Sequence, residues 1–230
     1  MQIEYLDSSD TSASVRIDGE PVSYALPPIQ GSQSECLFQV KTSKAGISAA
    51  NGREIVAFVD GTLVHKQGVW KDRSKTLFPS KYIVFPQIIT VMPRDKSLGK
   101  LEGGLFIDEV PEEIPGNIDD WNLSPEGVYF HGNRRFAPLG TWYKSEWNSD
   151  NGAVIGLCGS ADAAKHLESI FSPGLRKPIS KEGLFKGLIP MRTTALLRRF
   201  GDGRPHLVLD SLNGGNPAYG CMPVVFKQTA

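Results

Sequence analysis

Two stretches of this 230-residue chain concentrate the side chains that could hold an anion. Between Val64 and Lys100 stand Lys66, Lys71, Arg73, Lys75, Lys81, Arg94, Lys96 and Lys100, opposed by two acids. Between Pro173 and Arg204 stand Arg176, Lys177, Lys181, Lys186, Arg192, Arg198, Arg199 and Arg204, again opposed by two. A phosphate backbone is met by such cations on one surface, and each contact releases counterions. Trp70, Phe78, Tyr82 and Phe85 interleave the first stretch and could stack unpaired bases. On a helix from Met191 to Phe200, Arg192 and Arg199 share a face, seven residues apart, with Arg198 about a quarter turn round. From Leu101 to Asn133 there is no Lys or Arg but there are eight acids, among them Asp108, Glu112-Glu113 and Asp119-Asp120. The alternative is that these blocks cover solvated faces and neutralise one another.

Two further patterns could support catalysis. In Gly156-Leu157-Cys158-Gly159-Ser160 an apolar run, Ala153 to Ile155, meets a tight turn and then a helix capped by Ser160. A thiol at a helix N-terminus is acidified by the dipole. The arrangement resembles the nucleophile elbow of G-x-S-x-G enzymes, with Cys158 as nucleophile and Ser160 in place of the last glycine. A cysteine hydrolase or transferase would take its base from His65, His131, His166 or His206. The alternative is a packed thiol before an ordinary cap. The second pattern is Glu35-Cys36-Leu37-Phe38-Gln39-Val40-Lys41, with Asp18 upstream. It resembles the active-site pattern of PD-(D/E)xK nucleases. That resemblance implies Mg²⁺ on the Asp18 and Gln39 oxygens, with Lys41 orienting or activating water. Read alone, the segment is a half-buried strand, Leu37 and Gln39 facing opposite Phe38 and Val40.

Other candidates are weaker. The paired acids lack the ligand spacing of a calcium loop. Gly201-Asp202-Gly203 and Asn213-Gly214-Gly215 neither follow a strand nor open a helix as a dinucleotide fingerprint requires. Trp142 and Trp147 suit core or a partner contact better than a sugar site. Cys36, Cys158 and Cys221 are odd in number and show no CxxC spacing, so neither a disulfide framework nor a zinc knuckle is indicated.

The elements that must position these groups follow from punctuation and periodicity. Gly 24 and Pro 16 favour many short elements. Val15 to Ile17, Asp18-Gly19 and Val22 to Tyr24 form a hairpin with a type I′ turn. Glu54 to Val59, Asp60-Gly61 and Thr62 to Val64 repeat the pattern, and Thr141 to Trp147 pairs with Ala153 to Cys158. Leu37 to Val40 and Tyr82 to Val91 add strands, the latter bent at Pro86. Helices are expected over 161–171, 181–188 and 190–200, and strands over 206–209 and 222–226.

The expected fold is α+β and β-dominated: hairpin-rich antiparallel sheet with a smaller C-terminal helical segment. Residues 1–159 form the β-rich part and 160–230 a helix–strand part packed on it in one unit. Zero net charge excludes a uniformly polybasic coat or an acidic tail. Met1 to Asp7 shows no basic and apolar leader pattern, and no apolar run reaches the ~18 residues of a membrane span. The functional expectation is a non-catalytic binding subunit of a larger assembly in the cytoplasm, with no cofactor and no metal. Its partners would be nucleic acid or an acidic protein surface, together with other subunits and no membrane. It would bind through segments 64–100 and 173–204.

Overall fold

A computed structural model describes residues 1–6, 8–65, 67–73, 82–98, 101–108, 115–138, 148–170, 191–199, 205–211 and 220–227. The chain is α+β and built on one large, almost wholly antiparallel sheet. The N-terminal strands β1 (Ile3–Tyr5), β2 (Ser12–Ile17) and β3 (Glu20–Gly31) pair in sequence order. Asp18 and Gly19 turn β2 into β3 with φ of 50° and 90°, the positive pair that a type I′ hairpin needs.

β3 then pairs with the last strand, β13 (Gly220–Phe226), which also carries the short β4 (Ile47–Ala49). β5 (Tyr82–Val84) and β6 (Ile89–Leu98) lie end to end along one edge of β11 (Met191–Arg199), and β12 (Pro205–Ser211) lies along the other. The sheet continues from β6 through β7 (Leu101–Ile107), β10 (Arg134–Pro138) and β9 (Tyr129–His131) to β8 (Asn122–Leu123). β11 and β13 thus join strands of the first half in the same sheet, with β12 on the outer edge of β11.

Several expected strands are helices. The segment 37–40 belongs to α1 (Gln33–Thr42), which starts at a capping box of Ser32 and Glu35. The segment 54–59 belongs to α2 (Gly52–Asp60), started by the equivalent Asn51–Glu54 box and extended by a π-helical turn over Gly61–His65. The segment 153–158 is α4 (Gly152–Cys158), capped by Asn151 and ended by Gly159 at φ 87°. A short α3 (Val69–Arg73) and α5 (Ala161–Ile170) complete the helices among the described residues. The expected helix over 190–200 is instead β11, whose backbone is claimed by neighbours on both edges. Among the described residues, the C-terminal part is therefore one helix, α5, followed by strands. The expected helix at 181–188 and the strand at 141–147 lie outside the described residues.

Two of these differences share a cause. α2 and α4 are buried on every side: Ile55 to Val59 and Ala153 to Cys158 are at most 2% exposed. A short apolar run with no polar face has no period to separate helix from strand. These two helices, with α5, pack on the sheet against Val15, Ile83, Phe85, Leu105, Ile107, Ala195 and Leu197. The alternate residues of the same strands face elsewhere. Val84, Leu196 and Met222 pack with Cys36 of α1, while Phe106 and Phe136 pack under Trp121 and Ile118. Among the described residues, no helix is long and apolar enough to cross a membrane.

Candidate functional site

The described residues among those singled out by sequence stand on separate elements. Lys66, Lys75, Arg176, Lys177, Lys181 and Lys186 lie outside the described residues. Lys71 and Arg73 stand on α3, where Lys71 is exposed. Trp70 is not a stacking ledge. It is 3% exposed and packs edge-on against Tyr5, Tyr24 and Phe58, with ring centroids 5.8–5.9 Å away. Arg192, Arg198 and Arg199 lie on a strand, so the helix face expected to carry Arg192 and Arg199 does not exist. Arg192 is half-buried, and its Nε is enclosed without a hydrogen-bond partner.

Nor does the nuclease pattern assemble as a strand. Gln39 and Lys41 are exposed on α1, and Gln39 reaches only the Gln30 carbonyl, at 3.4 Å. Asp18 is held in its turn by the Gln2 N–H and the Arg53 guanidinium, which keep its carboxyl below the usual range. Cys158 closes α4 rather than opening α5. It is fully buried, and burial pushes its thiol up to about 12, opposite to an activated thiolate. Burial likewise raises Cys36 to about 11 and Cys221 to about 12.

What the fold does bring together is the meeting point of α2 and α4. Gly52, at the start of α2, sits so close to the end of α4 that a Cβ there would lie 2.0 Å from the Leu157 carbonyl. The positive pole of one helix therefore abuts the negative pole of the other. Beside this junction opens a cleft of about 580 Å³, lined by Asn51, Arg53, Gln87, Asp108, Asn133 and Arg135, with Gly159 at its rim.

Each polar group arrives by an identifiable device. Arg53 follows the N-cap of α2. Gln87 comes from the interruption between β5 and β6, where residues 85–88 bulge out opposite β11. Gln33 of α1 fastens that bulge from behind, donating from Nε2 to the Phe85 and Gln87 carbonyls, both at 2.9 Å. Asp108 follows β7 in a left-handed conformation, φ 70°, with its N–H on the Ile88 carbonyl. Arg135 stands on β10 opposite Ile107, which brings it beside Asp108.

The electrostatics of the cleft favour an anion. A Cβ at Gly159 would have Arg53 Cγ at 3.7 Å and Arg135 Nη2 at 3.8 Å, so the two arginines flank one small residue. Arg135 donates from Nη1 to the Gly156 carbonyl at 3.1 Å and reaches Asp108 only at 3.8 Å. Burial raises the Asp108 carboxyl above its usual range, against the pull of Arg135. Gln87 is 5% exposed. Its Nε2 faces the Leu157 carbonyl at 3.4 Å, and its Oε1 has no partner. The Arg53 guanidinium itself is held by Asp18, so Arg135 is the cation beside the weakly paired Asp108 carboxylate.

The far end of α2 holds a second polar group of opposite character. Asp60, 9% exposed, accepts from the Tyr5 hydroxyl and lies 3.0 Å from His166 Nε2. Tyr5 stacks on His65 with ring centroids 3.6 Å apart. Burial pushes the Asp60 carboxyl up, but the hydrogen bonds from His166 and Tyr5 and the nearby imidazoles outweigh it, and the net displacement is downward. Burial and the Asp60 bond push the Tyr5 hydroxyl well up.

Sequence reasoning passed over Arg53, Gln87 and Arg135. The Asn51-x-x-Glu54 signature could have exposed the helix that presents Arg53. Nothing local marks Gln87 or Arg135, whose strands meet only through the sheet. Among the described residues no group of three or more His, Cys, Asp or Glu could hold a metal ion. Comparison with known proteins finds no family model, no curated relative and no solved structure that matches this chain.

Proposed function

We propose that this chain is a non-catalytic binding subunit that takes an anionic partner, nucleic acid above all, into the cleft between α2 and α4. The observation carrying the reading is the convergence of Arg53 and Arg135 from separate elements on one glycine-rimmed cavity. Guanidinium forks match phosphate oxygens in pairs, which suits them to anchor a phosphate. The basic segments 64–100 and 173–204 would extend the contact along a polymer. The three cysteines are free and buried, which suits the reducing, cytoplasmic setting that belongs to the same proposal.

The test is fluorescence anisotropy with labelled single-stranded RNA and DNA. Binding is expected to weaken steeply between 50 and 200 mM salt, as it does when several phosphates are neutralised; about tenfold or more is the scale for a few contacts. Arg53→Ala should weaken it several-fold with little change in the thermal melt, and Arg135→Glu, which also removes the donor to the Gly156 carbonyl, should abolish it with a lowered melt. Absence of binding to either polymer, or binding indifferent to salt, overturns the reading.

A further inference from the structure

A carboxylate stands beside the cation that an anion in the cleft would have to reach. Asp108 and Arg135 line the same cavity of about 580 Å³. Their closest approach is 3.8 Å, beyond hydrogen-bonding reach, so the carboxylate attracts the guanidinium without being tied to it. Arg135 spends Nη1 on the Gly156 carbonyl at 3.1 Å, and its Nη2 would lie 3.8 Å from a Cβ at Gly159. We infer that Asp108 is a proton-operated gate on this cleft: ionised, it opposes an anion at Arg135, and protonated, it admits one. The inference rests on the anion-binding reading above and adds how that site is regulated.

The backbone, and not the ion pair, fixes where the gate stands. Asp108 follows β7 at φ 70°, with its N–H on the Ile88 carbonyl at 2.6 Å. Its side chain is 34% exposed and that of Arg135 20%, so solvent protons reach the carboxyl while the guanidinium is mostly enclosed. An ionised carboxyl only accepts hydrogen bonds, whereas the acid also donates one. One proton therefore removes a repulsion and supplies a donor to the same ligand. Partial burial already holds the carboxyl above its usual range, against the pull of Arg135. The change of state thus falls above the ordinary value of about 3.9. By linkage, a bound anion raises the carboxyl further, so binding takes up a proton.

The groups around Asp108 leave this carboxyl as the one that titrates against Arg135. From α4 comes Cys158, whose thiol burial pushes up to about 12, so it stays neutral. At the start of α2, Arg53 is held by Asp18, and Glu54 accepts from the Asn51 N–H. On β10, Arg134 alternates to the face opposite Arg135. On β9, His131 stacks on Trp121. Gln87 and Asn133 line the cavity as uncharged amides. Among the described residues, Arg135 is the charged partner that acts on Asp108.

Fluorescence anisotropy of the full chain with labelled oligouridylate and oligothymidylate, from about pH 4.5 to about pH 8 at one salt concentration, tests the inference. Neither the phosphodiesters nor these bases change charge over that range. Asp108→Asn removes the charge and keeps a residue that tolerates a left-handed φ. Near neutrality it should bind about five- to tenfold tighter than wild type, the scale of one unit charge several ångströms from the ligand. The two affinities should converge as pH falls and Asp108 takes its proton. Other titrating groups act on both proteins alike, so the ratio isolates Asp108. Should Asp108→Asn fail to fold, Asp108→Gly, which also accepts a positive φ, takes its place. Equal or weaker binding by the variant near neutrality, or a ratio that does not change with pH, overturns the gate but leaves the anion site standing. No binding of either oligomer by either protein at any pH overturns both.

Discussion

The two ends of α2 make opposite use of polar side chains. At its C-terminal end Asp60 is closed in by Tyr5 from β1 and His166 from α5, three elements meeting on one carboxylate. At its N-terminal end Arg53 pairs with Asp18, while Asp108 and Gln87 keep hydrogen-bonding capacity in hand around a cavity. A filled cluster fixes elements to one another, because every desolvated group has found its partner. An underfilled one carries a standing cost, which a ligand can relieve. The contrast assigns structure to one pole and recognition to the other.

Crowding at the open pole gives the largest expected effect. Gly52→Ala would drive a methyl into the Leu157 carbonyl, backbone against backbone, and should cost about 3 kcal/mol or more in urea unfolding. Gly159→Ala, at the rim of the same cleft, meets only ordinary contacts and should cost about 1 kcal/mol, from its left-handed φ. Similar losses for both would mean that α2 and α4 do not abut.

Next in size is the closed pole. Asp60→Ala leaves the Tyr5 hydroxyl and the His166 imidazole without their acceptor and should cost about 2–3 kcal/mol. The pH dependence sharpens this. The carboxyl is lower in the folded chain than unfolded, so its stabilisation is complete above the unfolded value of about 3.9. It is lost as pH falls through the folded value. The stability gap between wild type and Asp60→Asn should therefore be constant near neutrality and close in acid. A gap that widens on acidification would reverse the assignment.

The smallest effect is on Arg53. Its ion pair with Asp18 is well exposed on both sides, so Arg53→Ala should alter stability by less than about 1 kcal/mol while it weakens anion binding several-fold. A melt shifted as far as that of Asp60→Ala would make Arg53 a structural residue and erase the difference between the poles.

How far the sequence could be read follows the same physics. The Asp18-Gly19 hairpin was legible because its turn chemistry is local. The strands at 82–91, 206–209 and 222–226 were legible from β-branched runs, and the helix after Ser160 from its cap. The helices at 52–60 and 152–158 were not, since their apolar runs are buried, nor was the largely exposed helix at 33–42, whose buried residues are Gln33 and Cys36. Their caps were visible but went unweighed against apolar runs. The basic blocks were legible as composition, yet composition does not say that Trp70 turns inward or that Arg192 sits on a strand.

Composition, turn chemistry and strand patterning were enough to set the class of this protein: α+β, mostly antiparallel, with local hairpins and short elements. Those properties depend on neighbours a few residues apart. The tertiary structure alone decided that Gly52 would touch Leu157, that a bulge at 85–88 would carry Gln87 to the cleft, and that Arg53 and Arg135 would flank Gly159. Such contacts join residues tens of positions apart. They exist only once sheet register and helix burial have been settled together, and no local pattern records them.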